Sequence, residues 1–233
     1  MRGIAVIGLG GLGSPAALAL ARSGVTRLGL FDGDEVEVHN LPRQTLFEDG
    51  DLGRPKAVVA AERIAALAPE TAIVTSAGRV GPQRPDLLEL LATFPIWVDA
   101  TDRLDSKLWF NDRAVSSGAV LVHGGAIRFS GQALLIVPGQ GPCLRCLIEP
   151  DETDGEETCS AEGIAGPVVG VVGSLMAQLA LQVVVGKGVP GRYVHVDALR
   201  GVLREWTLSR RAGCRVCRVL DSKTRPLDVS HPS

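Results

Sequence analysis

The sequence predicts an α/β fold: a Rossmann-like, mostly parallel sheet continued by antiparallel strands, with a structural four-cysteine zinc site. Three observations predict it. An apolar run at residues 4–7 leads into a glycine turn and then a helical pattern. Short apolar runs then alternate with helix-period segments as far as residue 122, as parallel strand–helix–strand units require. After residue 126 the alternation stops, β-like runs take over, and two C-x-x-C pairs accompany them.

At 233 residues and 45% apolar composition the chain can bury one large core. One domain is expected over residues 1–217, with a nucleotide-binding half at 1–125 and an antiparallel, zinc-bearing half at 126–217. The polar tail at 218–233 reads as disordered. A formal net charge of −2 gives no bias toward polyanions, so nucleic acid is not an expected partner. No basic, apolar leader precedes the first strand, which points to the cytoplasm. Residues 164–185 are long and apolar, but Pro167, Ser174, Gln178, Gln182 and three glycines interrupt them and no Lys or Arg cluster flanks them. They read as a buried helix at a core or subunit interface rather than a membrane span.

The elements follow in order. Residues 4–7 form a strand. Residues 14–22 form a helix, with Ser14 and Pro15 suited to a cap and first turn and Gly24 to a stop. Residues 27–31 form a second strand. Arg54 and Pro55 open an amphipathic helix through residue 67. Strands at 72–76 and 96–100 bracket a short helix at 87–92. A helix at 105–118 leads to a strand at 119–122 that closes on His123-Gly124-Gly125. The run 127–137, broken by Ser130-Gly131, is a hairpin or edge strand. Residues 149–165 form an acidic crossover loop without periodicity. A long helix begins at Pro167, and late antiparallel strands lie at 192–196 and 202–208.

Gly8, Gly10 and Gly13 fit the G-x-G-x-x-G spacing. Glycines there allow a tight turn and bring main-chain N–H groups to a phosphate at a helix N-terminus. Asp32 ends the second strand, where an acid meets a ribose hydroxyl in dinucleotide folds. These signals say nucleotide without saying which, and a glycine turn with nothing bound fits them too. The loop from Asp32 to Gln44 lies at the carboxyl end of that strand, and its composition fits a ligand loop and a solvated loop equally. Lys56 would fall in a helix first turn, an unfavourable place for a cation unless an anion binds there; an exposed lysine is the other reading. Thr101-Asp102-Arg103 reaches the same sheet edge.

Cys143 and Cys146 form one C-x-x-C pair, and Cys214 and Cys217 another. Two such pairs in a reduced compartment suit one tetrahedral zinc with no open position, hence a structural metal. Cys159 is left over.

Taken together, the chain resembles the ubiquitin-activating-like adenylyltransferases, the ThiF/MoeB/HesA group that activates sulfur-carrier proteins. The matching pieces are Gly8-Leu-Gly10-Gly11-Leu-Gly13-Ser-Pro15, the Asp32-x-Asp34-x-Val36-x-x-x-Asn40-x-x-Arg43-Gln44 loop, and Lys56. Asp99-Ala-Thr-Asp102, Gly131-Gln132, both cysteine pairs and Gly166-Pro-Val-Val-Gly170 complete the set, in order from about Gly3 to Cys217. The resemblance implies that the glycine loop through Gly11 accepts ATP phosphates and that Asp32 holds the ribose. It implies that Asn40, Arg43 and Lys56 hold the triphosphate and that Asp102 holds magnesium. Asp34, His39, Gln44 and Arg103 complete the expected nucleotide shell. Arg43, Lys56 and Asp102 would carry catalysis, with Cys159 a further candidate. The implied reaction is attack by the carboxylate of a carrier's C-terminal Gly-Gly on the α-phosphate, giving an acyl-adenylate and pyrophosphate. The carrier would serve thiamine or molybdopterin biosynthesis. A homodimer is implied as well.

Cys159 divides the group. In ThiF-like members a cysteine on the crossover loop links covalently to the carrier; in MoeB-like members it need not be catalytic. The glutamates around it would raise a thiol's pKa. Two further departures stand out. Arg2 is the only basic residue ahead of the first strand, where many relatives carry an arginine that reaches the neighbouring subunit's ATP. Arg103 stands where many carry asparagine. No rhodanese-like domain follows, so a separate sulfur donor is expected, a cysteine desulfurase or rhodanese-type protein. The alternatives are a specialised or non-catalytic relative acting on another carboxylate, and an NAD-dependent oxidoreductase. The latter leaves Arg43, Lys56 and the cysteine pairs unexplained.

Overall fold

The computed structural model describes residues 3–148 and 163–217. Arg2, Cys159 and the expected tail lie outside them. The elements are β1 (Ile4–Ile7), α1 (Gly13–Arg22), β2 (Arg27–Phe31), α2 (Lys56–Leu67), β3 (Ala72–Ser76), α3 (Pro85–Ala92), β4 (Ile96–Asp99) and α4 (Leu104–Ser117). They continue as β5 (Val120–Ile127), β6 (Ser130–Ile136), α5 (Leu144–Leu147), α6 (Gly166–Val184), β7 (Arg192–Asp197) and β8 (Val202–Thr207).

The strands form one eight-stranded sheet in the order β3-β2-β1-β4-β5-β6-β7-β8. The pairs from β3 to β5 are parallel and those from β5 to β8 are antiparallel, as the sequence leads one to expect. The chain order reverses about β1, so β1 and β4 leave a crevice at their carboxyl ends, where open α/β sheets bind ligands.

Alternation along β1 builds two cores. Ile4 and Val6 face one with α1, α2 and α6; Ala5 and Ile7 face the other with α3, α4 and the cysteine cluster. Helix α6 is long and apolar enough to cross a membrane. Here its Val168, Val169, Val172, Met176 and Ala180 face enters the first core, so it serves as a core helix. It presses on the glycine loop: a Cβ on Gly173 would lie 2.4 Å from the Leu12 carbonyl oxygen.

Three local expectations change. Ser14 is no cap: α1 already begins at Gly13, and the Ser14 hydroxyl donates to the Leu9 carbonyl at 2.7 Å. Strand β5 does not stop at residue 122. It runs through Gly124 and Gly125 to Ile127, pairing Gly124 with Ala133. Met176 of α6 sits over Gly124, where a Cβ would lie 2.2 Å from its sulfur; glycine keeps the strand extended beneath a close helix. One helical turn, α5, lies inside the first C-x-x-C pair, because its two cysteines must turn back toward one point.

Candidate active site

The carboxyl ends of β1, β2 and β4 open into a cleft of about 320 Å³. Its wall includes Gly8, Gly10, Gly11, Asp32, Asp34, His39, Asn40, Arg43, Gln44, Lys56 and Asp102. Residues spread over about a hundred positions of sequence therefore converge on one crevice. Two expected members do not join them. Gly13 is a packing residue: a Cβ there would lie 1.8 Å from the Gly8 carbonyl oxygen, so glycine lets α1 start directly behind β1. Arg103 lies outside the wall, and its guanidinium pairs with Asp105 at 2.9 Å. Cys159 lies outside the described residues.

The glycine loop is held from below. Gly8 has φ +85°, which an L side chain resists, and its N–H donates to the Phe31 carbonyl at 2.8 Å. Asp32 accepts the Leu9 N–H at 2.6 Å and the Asp34 N–H at 2.8 Å. Burial pushes the Asp32 carboxyl above its usual pKa; those two N–H bonds and the Lys56 charge act against the rise. Each oxygen keeps a lone pair for a ribose hydroxyl.

The cations sit above. Lys56 is 5% exposed in the first turn of α2, and its ammonium lies 3.7 Å from the Asp34 carboxylate. The exposed-lysine reading thus fails, and a buried ammonium faces the cleft with one loose counter-ion. Arg43 donates to the His39 carbonyl at 2.8 Å, which anchors its guanidinium along the wall. Gln44 donates to Asn40 Oδ1 at 2.8 Å, and its own buried Oε1 has no hydrogen-bond partner. An orphaned buried amide oxygen at a cleft wall calls for a polar ligand or water. Cationic side chains, main-chain amides and an orphaned amide together fit a nucleoside phosphate.

Asp102 is the exposed carboxylate at the cleft edge after β4. One carboxylate beside bound phosphates suits magnesium, which keeps most of its water.

Sequence reasoning missed Arg79 and Lys107. Arg79 joins the rim and pairs with Asp34 at 2.8 Å. Lys107, in the first turn of α4, is 6% exposed and donates to the Gly124 carbonyl at 2.6 Å. The signal that marked Lys56, a lysine in a helix first turn at the sheet edge, marks Lys107 too.

The four cysteines form a cluster that could hold a metal ion. Their sulfurs all lie within 4.8 Å of one another, with Cys143–Cys214 at 3.8 Å and Cys146–Cys217 at 3.5 Å. Tetrahedral zinc with ~2.3 Å bonds requires sulfurs about 3.8 Å apart, so the donor set fits. Burial pushes the Cys217 thiol up to about 11, whereas backbone N–H groups of Cys217 and Val216 bring Cys214 to about 7 against burial. A divalent cation bound there would hold all four as thiolates. Helix α4 grips the knuckle: Leu144 N–H donates to Asn111 Oδ1 at 2.7 Å, and Arg145 pairs with Asp112 at 2.8 Å.

Fold and cleft together define an α/β protein whose crevice fits a nucleoside phosphate, with an appended four-cysteine knuckle that could hold a metal. The model of the ThiF family matches residues 2–216. The chain is 38% identical over 222 residues to a sulfur carrier protein adenylyltransferase of Thermus thermophilus, covering 92% of this chain and 81% of that one. It is 36% identical over 217 residues to the sulfur carrier protein ThiS adenylyltransferase of Escherichia coli, covering 92% and 85%. It is 36% identical over 219 residues to the molybdopterin-synthase adenylyltransferase of the same organism, covering 92% and 86%. Among solved structures, Escherichia coli MccB bound to a MccA variant superposes with a TM-score of 0.80 at 23% identity. That match covers 93% of this chain and 66% of MccB, and it shows the shared fold. The chain belongs to the ThiF family, and it is an adenylyltransferase.

Proposed function

We propose that the chain uses ATP to activate the C-terminal carboxylate of a ubiquitin-like sulfur-carrier protein ending in Gly-Gly. The observation that carries this is the gathering of the glycine loop, Asp32, Arg43, Lys56 and Asp102 on one cleft. Asp32 receives the ribose hydroxyls, and the amides of Gly10 and Gly11 face the phosphates. Arg43 and Lys56 screen the triphosphate from the incoming carboxylate. Magnesium held by Asp102 would neutralise phosphate charge. The carboxylate oxygen forms a bond to the α-phosphorus while the bond to the bridging oxygen breaks, and pyrophosphate leaves with its electron pair. A carboxylate is already a nucleophile, so positioning and electrostatics suffice and no general base is needed.

The carrier is of the kind that serves thiamine or molybdopterin synthesis, and a separate protein donates the sulfur. The reading includes a homodimer, as the family resemblance implies. ATP–pyrophosphate exchange tests the reading. Exchange should require a Gly-Gly carrier, and the carrier that supports it assigns the pathway. Asp102→Ala should abolish exchange in a folded protein. Exchange without any carrier, or full exchange in Asp102→Ala, would reject the reading.

A further inference from the structure

The adenylation scheme leaves one buried cation unused. Lys107 lines the cleft on the side of β5, and its Nζ donates to the Gly124 carbonyl. An ammonium has three donors, and that bond occupies one. Among the described residues Lys107 makes no ion pair. Asp99, the acid that feels its charge, is already engaged: its Oδ1 accepts from the Thr101 hydroxyl at 2.6 Å and its Oδ2 faces His123 at 3.4 Å. A buried ammonium with donors to spare, beside a cleft, is a site for an anion.

Position decides which anion. Along the sheet edge the order β2-β1-β4-β5 places Asp32 first, the glycine loop next, Asp102 after it and Gly124-Gly125 last. A nucleotide with its ribose at Asp32 and its phosphates over the glycine loop ends short of β5. Toward β5 the cleft wall includes Ser106, Lys107, Phe110, Gly125 and Ala126, so one cation stands among otherwise uncharged groups.

We propose that Lys107 binds the carboxylate of the acyl substrate and orients it toward the α-phosphate. This rests on the adenylation reading above. Carboxylate charge falls as its oxygen bonds to phosphorus, so the ammonium acts more in substrate binding than in the transition state. Its loss should therefore appear chiefly in KM.

The test uses the carrier that supports exchange, prepared with its natural carboxylate end and as the C-terminal carboxamide. With a non-hydrolysable ATP analogue bound, the wild-type protein should bind the carboxylate form about tenfold or more tightly. Lys107→Met should erase that preference and raise the carrier KM about tenfold or more, with kcat changed less and ATP-analogue affinity within about twofold. Lys107→Arg should restore most of the preference. Equal wild-type binding of the two ends, which requires no variant, would overturn the proposal. So would equal losses for both ends in a Lys107→Met protein that melts normally, the mark of a structural role. Exchange with no carrier at all would remove the adenylation reading itself, and this proposal with it.

Discussion

The carboxylate of Asp32 accepts the backbone N–H of Leu9 at 2.6 Å, across a separation of 23 residues. The acid expected to meet ribose also fixes the shape of the phosphate loop. Binding and local folding are thus tied to one side chain. Asp32→Ala would leave two N–H groups without their acceptor, at about 1–3 kcal/mol for each buried one. A melting temperature lower by roughly 3–10 °C, together with weaker ATP binding, is the expected result. Asp32→Asn should show the smaller melting shift, since it keeps one oxygen. Unchanged melting in Asp32→Ala would refute the double role.

The glycines of one motif should separate by function. A Cβ on Gly13 overlaps the Gly8 carbonyl, whereas one on Gly10 meets only Gln44 Nε2, at 3.6 Å. Gly13→Ala should be insoluble or less stable by about 3 kcal/mol or more. Gly10→Ala should stay within about 0.5 kcal/mol of wild type in denaturant while binding ATP more weakly, because its methyl enters the phosphate cradle. Equal stability of the two variants would contradict this division.

Zinc should be present at about one ion per chain by elemental analysis, since four thiolates saturate one tetrahedral ion. Stripping it with a chelator, or Cys146→Ser, should lower the melting temperature by about 5 °C or more. The Asn111–Leu144 and Asp112–Arg145 contacts carry the loosening into α4. A metal-free protein with unaltered melting would rule out the structural ion.

Acid should weaken the fold through Asp99 and His123. Burial works to raise the Asp99 pKa, but the Lys107 charge and the His123 and Thr101 hydrogen bonds hold it down at about 2, below the usual 3.8. Burial and Lys107 depress His123 below 6.5. Both folded values lie under the unfolded ones, so the unfolded chain takes up protons first. The stabilisation is complete above pH 6.5. It declines as pH falls through the His123 range, then again between 3.8 and about 2. Each group contributes a slope of about 1.4 kcal/mol per pH unit within its window. Urea unfolding at stepped pH should show a flatter slope just below pH 6.5 in His123→Gln. An identical slope would show that the histidine is not the titrating group.

The sequence by itself determined the succession of strands and helices in the nucleotide half, the glycine loop, the acid after β2 and the pairing of the cysteines as a candidate metal site; the order of the strands in the sheet came from the structure. Each of those read from the sequence depends on local spacing: apolar period, glycines at a turn, two thiols three residues apart. Tertiary structure alone decided that Arg79 and Lys107 join the cleft and that Arg103 does not. Arg103 and Lys107 lie four residues apart, yet the first turns to Asp105 and the second enters the wall. Gly124 and Gly125 looked like the end of a strand, but Met176 packing over Gly124 keeps them in the ladder. Spacing sets backbone conformation over a few residues. The direction of a long side chain depends on how its helix lies on the sheet, and partners distant in sequence fix that.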